Sequence, residues 1–131
     1  MPVELTILAL GALLLFVHIF IATRYKTAQY GRQWNVGARD ENLPPANVMT
    51  GRTARAQANF AETFPIAIVA LLGVVVADRT SDLTAIGGWL WLGARLAYLP
   101  LYMAGVPVVR TLVYTAGMVG LGMVIWPLLV G

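Results

Sequence analysis

R-T-A-R-A-Q-A-N-F-A-E-T-F-P, from Arg52 to Pro65, opens a hydrophobic segment yet carries Arg52, Arg55, Asn59 and Glu62. At about 100° per residue these four fall within roughly an 80° arc of one helix face. Charged and amide groups are expensive in hydrocarbon and normally face a bundle interior or a wet cavity. A polar stripe at the mouth of an apolar helix therefore predicts a membrane-spanning helix and a site along it.

The composition agrees. The chain has 131 residues, enough for one unit, so residues 1–131 are read as a single domain. It is 59% hydrophobic and 11% charged, against about 25% charged in soluble domains. With a mean hydropathy of +0.74, this is the composition of an integral membrane protein. There is no cysteine, which excludes disulfides, thiolate metal sites and a protein thiol nucleophile. His18 is the single histidine, so a histidine-rich metal site is excluded too, and no metal is expected. A Ser-His-Asp triad would have to use that one residue. The net charge of +3 is read through its placement along the chain, with no nucleic-acid partner expected.

Outward from the stripe, four spans are predicted, at about 5–23, 52–77, 83–104 and 108–130. Leu5–Thr23 carries no formal charge and has about the length that crosses hydrocarbon. No basic region precedes it, so it is not read as a cleaved signal peptide. His18, near its far end, is read as a polar contact to a neighbouring helix or an interfacial residue, with a direct chemical role as the alternative. Arg24–Gly51 is a polar connector whose first part, to Gln33, extends the first helix; Asn42-Leu43-Pro44-Pro45 reads as an extended turn. Pro65 and Pro100 are expected to kink the second and third spans. Gly117, Gly120 and Gly122 are expected to let a neighbouring helix approach the fourth.

Short connections imply an antiparallel four-helix transmembrane bundle, all-α. Arg24, Lys26, Arg32 and Arg39 lie in the first connector and only Arg79 in the second. The positive-inside rule then puts the first and third connectors in the cytoplasm and both termini on the other side. A bacterial inner membrane is a plausible setting.

Depth can be counted at about 1.5 Å per residue. Glu62 and Arg95 then both lie about 15 Å from the cytoplasmic end of their spans, placed for an ion pair. Arg110 falls at about the depth of Arg55. Tyr98 and Tyr102 share a face with Arg95, and Tyr114 sits one turn past Arg110. Each has a plainer reading: a register-fixing ion pair, snorkelling cations, packed phenols. Together, several arginines opening one cavity call for an anionic ligand at the membrane surface. With no protein nucleophile of the usual kinds, the site suits a substrate that brings its own. A bound thiol beside an arginine ionises more readily, and an apolar electrophile can enter from the lipid.

The pattern R-x-x-R-A-Q-x-N-x-x-E-T-F-P at Arg52–Pro65 resembles the signature of the MAPEG family, membrane-associated proteins in eicosanoid and glutathione metabolism. A-R-L-x-Y-x-x-x-Y at Ala94–Tyr102 and R-x-x-x-Y at Arg110–Tyr114 are similar to its other motifs. The resemblance implies a homotrimer with glutathione, the co-substrate, bound between subunits on the cytoplasmic side. It implies that Arg55, Asn59 and Glu62 hold the tripeptide, helped by Arg95, Tyr98 and Tyr102 of a neighbouring subunit. Arg110 matches the arginine thought to stabilise the thiolate. Arg52 and Tyr114 complete the expected binding set. Glutathione also suits the residues themselves, with two carboxylates for arginines and an ammonium for Glu62. Thr111 stands beside Arg110 where some members have serine. The short turn before Arg110 departs from the mammalian prostaglandin and leukotriene synthases, so their eicosanoid chemistry does not transfer.

The expected activity is a microsomal glutathione transferase-like or peroxidase reaction on lipophilic electrophiles or lipid hydroperoxides. Membrane lipids and further copies of the chain are the expected partners. Two rivals come from other classes. A proton-coupled four-helix exporter would need an unpaired membrane carboxylate, for which Glu62 is the candidate. A non-catalytic scaffold would bind no thiol.

Overall fold

A computed structural model of the chain describes residues 1–130. Helix α1 spans Val3–Tyr30, α2 Arg32–Val36, α3 Val48–Val76, α4 Asp82–Ala104 and α5 Pro107–Leu129. The short α2 was not anticipated. Helix α1 does run past its apolar stretch, and it stops where Gly31 adopts φ 97°, a conformation open to glycine. The extended stretch that follows is tied back to α1. Tyr30 Oη donates to the Pro44 carbonyl and Gln29 Nε2 to that of Pro45, both at 3.0 Å.

Helix α3 begins four residues before Arg52, because Asn47 caps it, accepting from the Thr50 amide at 2.9 Å. Ser81 and Thr84 form a capping box at the start of α4. Gly105, left-handed at φ 74°, ends α4, and Pro107 opens α5. Pro65 and Pro100 sit inside unbroken helices.

Three helices, α1, α3 and α5, are long and apolar enough to cross a membrane. The sequence predicted four such spans. Helix α4 matches α5 in length, at 23 residues, but Thr84, Arg95 and two tyrosines dilute its apolarity. Its polarity is directed inward: Thr84, Arg95 and Tyr98 are all buried.

Helix α1 packs chiefly on α3 and α4 on α5, while α3 also meets α4 and α5 and α1 meets α4. The α3–α4 contact is thus the centre of the molecule. Phe60, Phe64, Ala67 and Leu71 of α3 face Trp91 and Leu92 of α4 in the core. The Phe64 and Trp91 rings are nearly parallel, 10° apart in plane with centroids at 6.2 Å. Trp91 fits because Gly11 of α1 has no side chain; a Cβ there would lie 2.7 Å from the indole. Such close packing substitutes for the hydrophobic drive that is weak between helices in lipid.

Helices α4 and α5 cross at Gly87 and Gly120, where a Cβ on Gly120 would meet the Gly87 carbonyl oxygen at 2.5 Å. Gly117 also faces α4, against Ala94. Gly122 does not have the role expected of it: nothing lies within 4 Å of its missing Cβ. It is on the outer side of α5, where no helix needs the space.

Candidate functional site

The polar residues of α3, α4 and α5 gather at the end of the bundle where α4 turns into α5. Arg95 is their centre and is fully buried, at 0% exposure. Its Nη1 donates to Asn59 Oδ1 at 2.8 Å. Its guanidinium lies over three rings, 4.3 Å from Tyr98, 5.0 Å from Phe60 and 5.8 Å from Tyr114. Cation–π contacts of this kind gain strength where water is excluded.

Tyr98 in turn touches Tyr102 and Tyr114, with ring centroids at 5.6 and 5.9 Å. Tyr102 is the hinge to the surface. Arg55 Nε donates to its hydroxyl at 3.1 Å, and the Arg110 guanidinium lies 4.6 Å from its ring. Arg55 and Arg110, on different helices, thus share one tyrosine, and among the described residues no carboxylate pairs with either. An anion beside that tyrosine would relieve their repulsion.

Seven of the expected residues are therefore brought together: Arg55, Asn59, Arg95, Tyr98, Tyr102, Arg110 and Tyr114. Two are placed otherwise. Arg52 turns to the end of α4, where Nη1 donates to the Met103 carbonyl at 3.0 Å. It fills the space beside Gly105, so its charge serves the helix terminus. Glu62 is exposed, and the expected ion pair with Arg95 is not made. Arg95 uses Nη1 for Asn59, while its Nε and Nη2 are buried without any protein partner. The reason is azimuth: at about 100° per residue Glu62 lies some 160° round α3 from the buried Phe60. The Thr111 hydroxyl donates to its own helix, to the Pro107 carbonyl at 3.1 Å.

Two buried groups were under-read from sequence. His18 is 1% exposed, stacked on Phe60 with centroids 4.9 Å apart, and both its ring nitrogens are unpartnered. Its position on the buried stripe Ile7-Gly11-Leu14-His18-Ala22 was the available signal. At the opposite end of the bundle Glu4, 2% exposed, accepts from Thr84 Oγ1 at 2.6 Å. Nothing in the sequence linked two residues so far apart.

Helices that can cross a membrane, with a buried arginine and a ring of phenols between them, define an integral membrane protein whose arginines and tyrosines cluster at one end. The family model described as "MAPEG family" matches residues 5–130, nearly the whole chain, and the chain belongs to that family. Its members act in glutathione and eicosanoid metabolism at membranes and include glutathione transferases and peroxidases. Searches of curated proteins and of solved structures gave no match.

Proposed function

We propose that the protein is a membrane-bound glutathione transferase or peroxidase, with Arg55 and Arg110 as its two anion-binding cations. The observation that carries the reading is their convergence on Tyr102 without a carboxylate partner among the described residues. One glutathione carboxylate pairs with Arg55, beside Asn59. The thiol lies toward Arg110, whose charge stabilises the thiolate. Tyr98, Tyr102 and Tyr114 wall the site, and Arg95 holds Asn59 from behind.

The thiol proton leaves to water. The sulfur lone pair then forms a C–S bond with a lipophilic electrophile, whose leaving group departs with the bonding pair. With a lipid hydroperoxide, two glutathiones supply two electrons, giving the disulfide, an alcohol and water. No metal takes part.

The chain acts as a homotrimer of four-span bundles in this reading. Glu62 supports that assembly, since a carboxylate exposed midway along an apolar helix is costly in lipid. A second copy covering that face would let Glu62 take the glutathione ammonium at a subunit boundary. The basic first connector supports a cytoplasmic site with both termini on the opposite side.

Thermal stability of detergent-purified protein tests the reading. Glutathione and S-methylglutathione should both stabilise it, by about 2.7 kcal/mol at a hundredfold excess over Kd, and glycine should not. The shift should disappear in Arg55→Ala. Absence of a shift at ligand concentrations up to tens of millimolar, with no thiol-dependent turnover, would sink it.

The exposed Glu62, not paired with Arg95, also favours a second reading, a proton-coupled exporter, which needs an unpaired membrane carboxylate. Electrogenic drug transport in liposomes that is abolished by Glu62→Gln would establish it.

A further inference from the structure

A cavity of about 570 Å³ lies against the end of α1, and none of the residues proposed for the thiol site lines it. Its walls include Phe20, Thr23, Arg24 and Thr27 of α1 and Arg32 of α2, and no acidic residue. The turn at Gly31 brings the two arginines to one space. On an unbroken helix they would stand about 12 Å apart along the axis. Gly31 instead ends α1 at φ 97°, and Arg32 opens α2 on the wall of the same cavity.

The polar groups of this cavity are unengaged. Arg39, Arg52, Arg55, Arg79 and Arg95 each donate a hydrogen bond within the chain, whereas Arg24 and Arg32 donate none among the described residues. Thr53, Thr63, Thr111 and Thr115 give their hydroxyls to their own helices, and Thr23 and Thr27 make no such bond.

Depth decides what can reach them. Thr23 closes the uncharged run Leu5–Thr23, in a helix able to cross a membrane. Phe20 and Thr23 therefore stand at the edge of the hydrocarbon, and Arg24 stands at the level of the headgroups. Further into the membrane, Ala12, Leu15, Phe16 and Ile19 line a wholly apolar cavity of about 260 Å³. Helical spacing puts Phe16, Ile19, Phe20, Thr23 and Thr27 on one face of α1. That face is opposite the buried stripe from Ile7 to Ala22, and it leaves Phe16 and Phe20 exposed.

We propose that this face of α1 binds one anionic membrane phospholipid. Arg24 and Arg32 hold its phosphate, Thr23 and Thr27 donate to the phosphate oxygens, and an acyl chain lies along Phe20, Phe16 and Ile19. Guanidinium forks match phosphate oxygens in charge and geometry. Two cations with no acid beside them also select against a zwitterionic headgroup, whose ammonium would meet only like charge. The site does not rest on the thiol reading. It differs from diffuse attraction of anionic lipid to a basic connector, which would not choose among the connector's cations. Lys26 is the internal control, because it belongs to that connector but does not line the cavity.

The test is binding of radiolabelled dioleoyl phosphatidylglycerol or dioleoyl phosphatidylcholine to delipidated protein in neutral detergent. Phosphatidylglycerol should bind saturably and about tenfold or more tighter than phosphatidylcholine. Arg24→Gln and Arg32→Gln should each weaken it about fivefold, and Lys26→Gln should leave it nearly unchanged. Equal affinity for the two lipids, or an equal loss in Lys26→Gln, would overturn the site. So would displacement of the lipid by millimolar inorganic phosphate, the mark of a site for soluble anions. Because the chain has no cysteine, Phe16→Cys takes a single nitroxide label. In bilayers that label should collide freely with lipid-dissolved oxygen. Shielding from oxygen would mean that a second copy of the chain covers this face, and the lipid assignment would fall.

Discussion

The two ends of the bundle treat a buried charge in opposite ways. At one end Glu4 is matched by Thr84, which also serves the cap of α4, and the flanking Gly87–Gly120 crossing leaves no room to move. At the other end Arg95 is deeper still, yet two of its nitrogens have no protein partner, and Arg55 and Arg110 crowd one tyrosine. The first end is finished by the chain alone. The second leaves buried donors and two neighbouring cations unmatched among the described residues, and it is where the proposed site lies. Packing quality thus separates the end that is closed from the end proposed to bind the ligand.

Substitutions should respond to that division. The largest effect belongs to the unfinished end. Arg110→Ala should lower thiol-dependent turnover by about 10²–10³-fold, the scale of losing one donor to a developing anion, with little change in melting temperature. Unchanged turnover would remove its assigned role. Next comes the closed end. Gly120→Val should cost about 1–3 kcal/mol or more by overpacking against the Gly87 carbonyl, read as a lower melting temperature without a selective loss of ligand affinity. Glu4→Ala should cost about 1 kcal/mol, and Glu4→Gln should recover most of it by keeping an acceptor for Thr84. The smallest effects are controls. Gly122→Ala should change stability by less than about 0.5 kcal/mol, as a surface substitution does. Thr111→Ala should leave turnover within about threefold, because that hydroxyl is spent on the Pro107 carbonyl. A large loss in Thr111→Ala would mean that the hydroxyl leaves its helix to meet the substrate.

Much of this was legible in the sequence wherever a local rule was enough. The Arg52–Pro65 stripe, the helical continuation past Thr23 and the glycine at the α4–α5 turn all follow from spacing and turn chemistry. Arg95 and Arg110 were placed by depth along the helices, and Tyr98 and Tyr102 by sharing a face with Arg95. Depth was also what misled. It placed Glu62 level with Arg95, but pairing needs azimuth as well, and Phe60, Phe64 and Ala67 had already marked the inward face of α3. Arg52 shared the stripe yet was drawn to the Met103 carbonyl, a partner that exists only once α4 has ended beside it. Gly120 and Gly122 differ by two residues and so face different ways; composition alone gave them one role. Glu4–Thr84 was invisible because no local pattern couples the first turns of α1 and α4.

The inward polarity of α4 has a consequence for how the protein is made. A helix carrying an arginine at mid-length partitions poorly from the insertion machinery into lipid, at about +2.5 to +3.5 kcal/mol for that residue alone. Helix α5 follows after only Gly105 and Val106, and the two backbones come closest at the Gly87–Gly120 crossing, at the far end of that hairpin. On the four-span reading, α4 would leave the translocon as half of a hairpin, shielded by the helix synthesised after it.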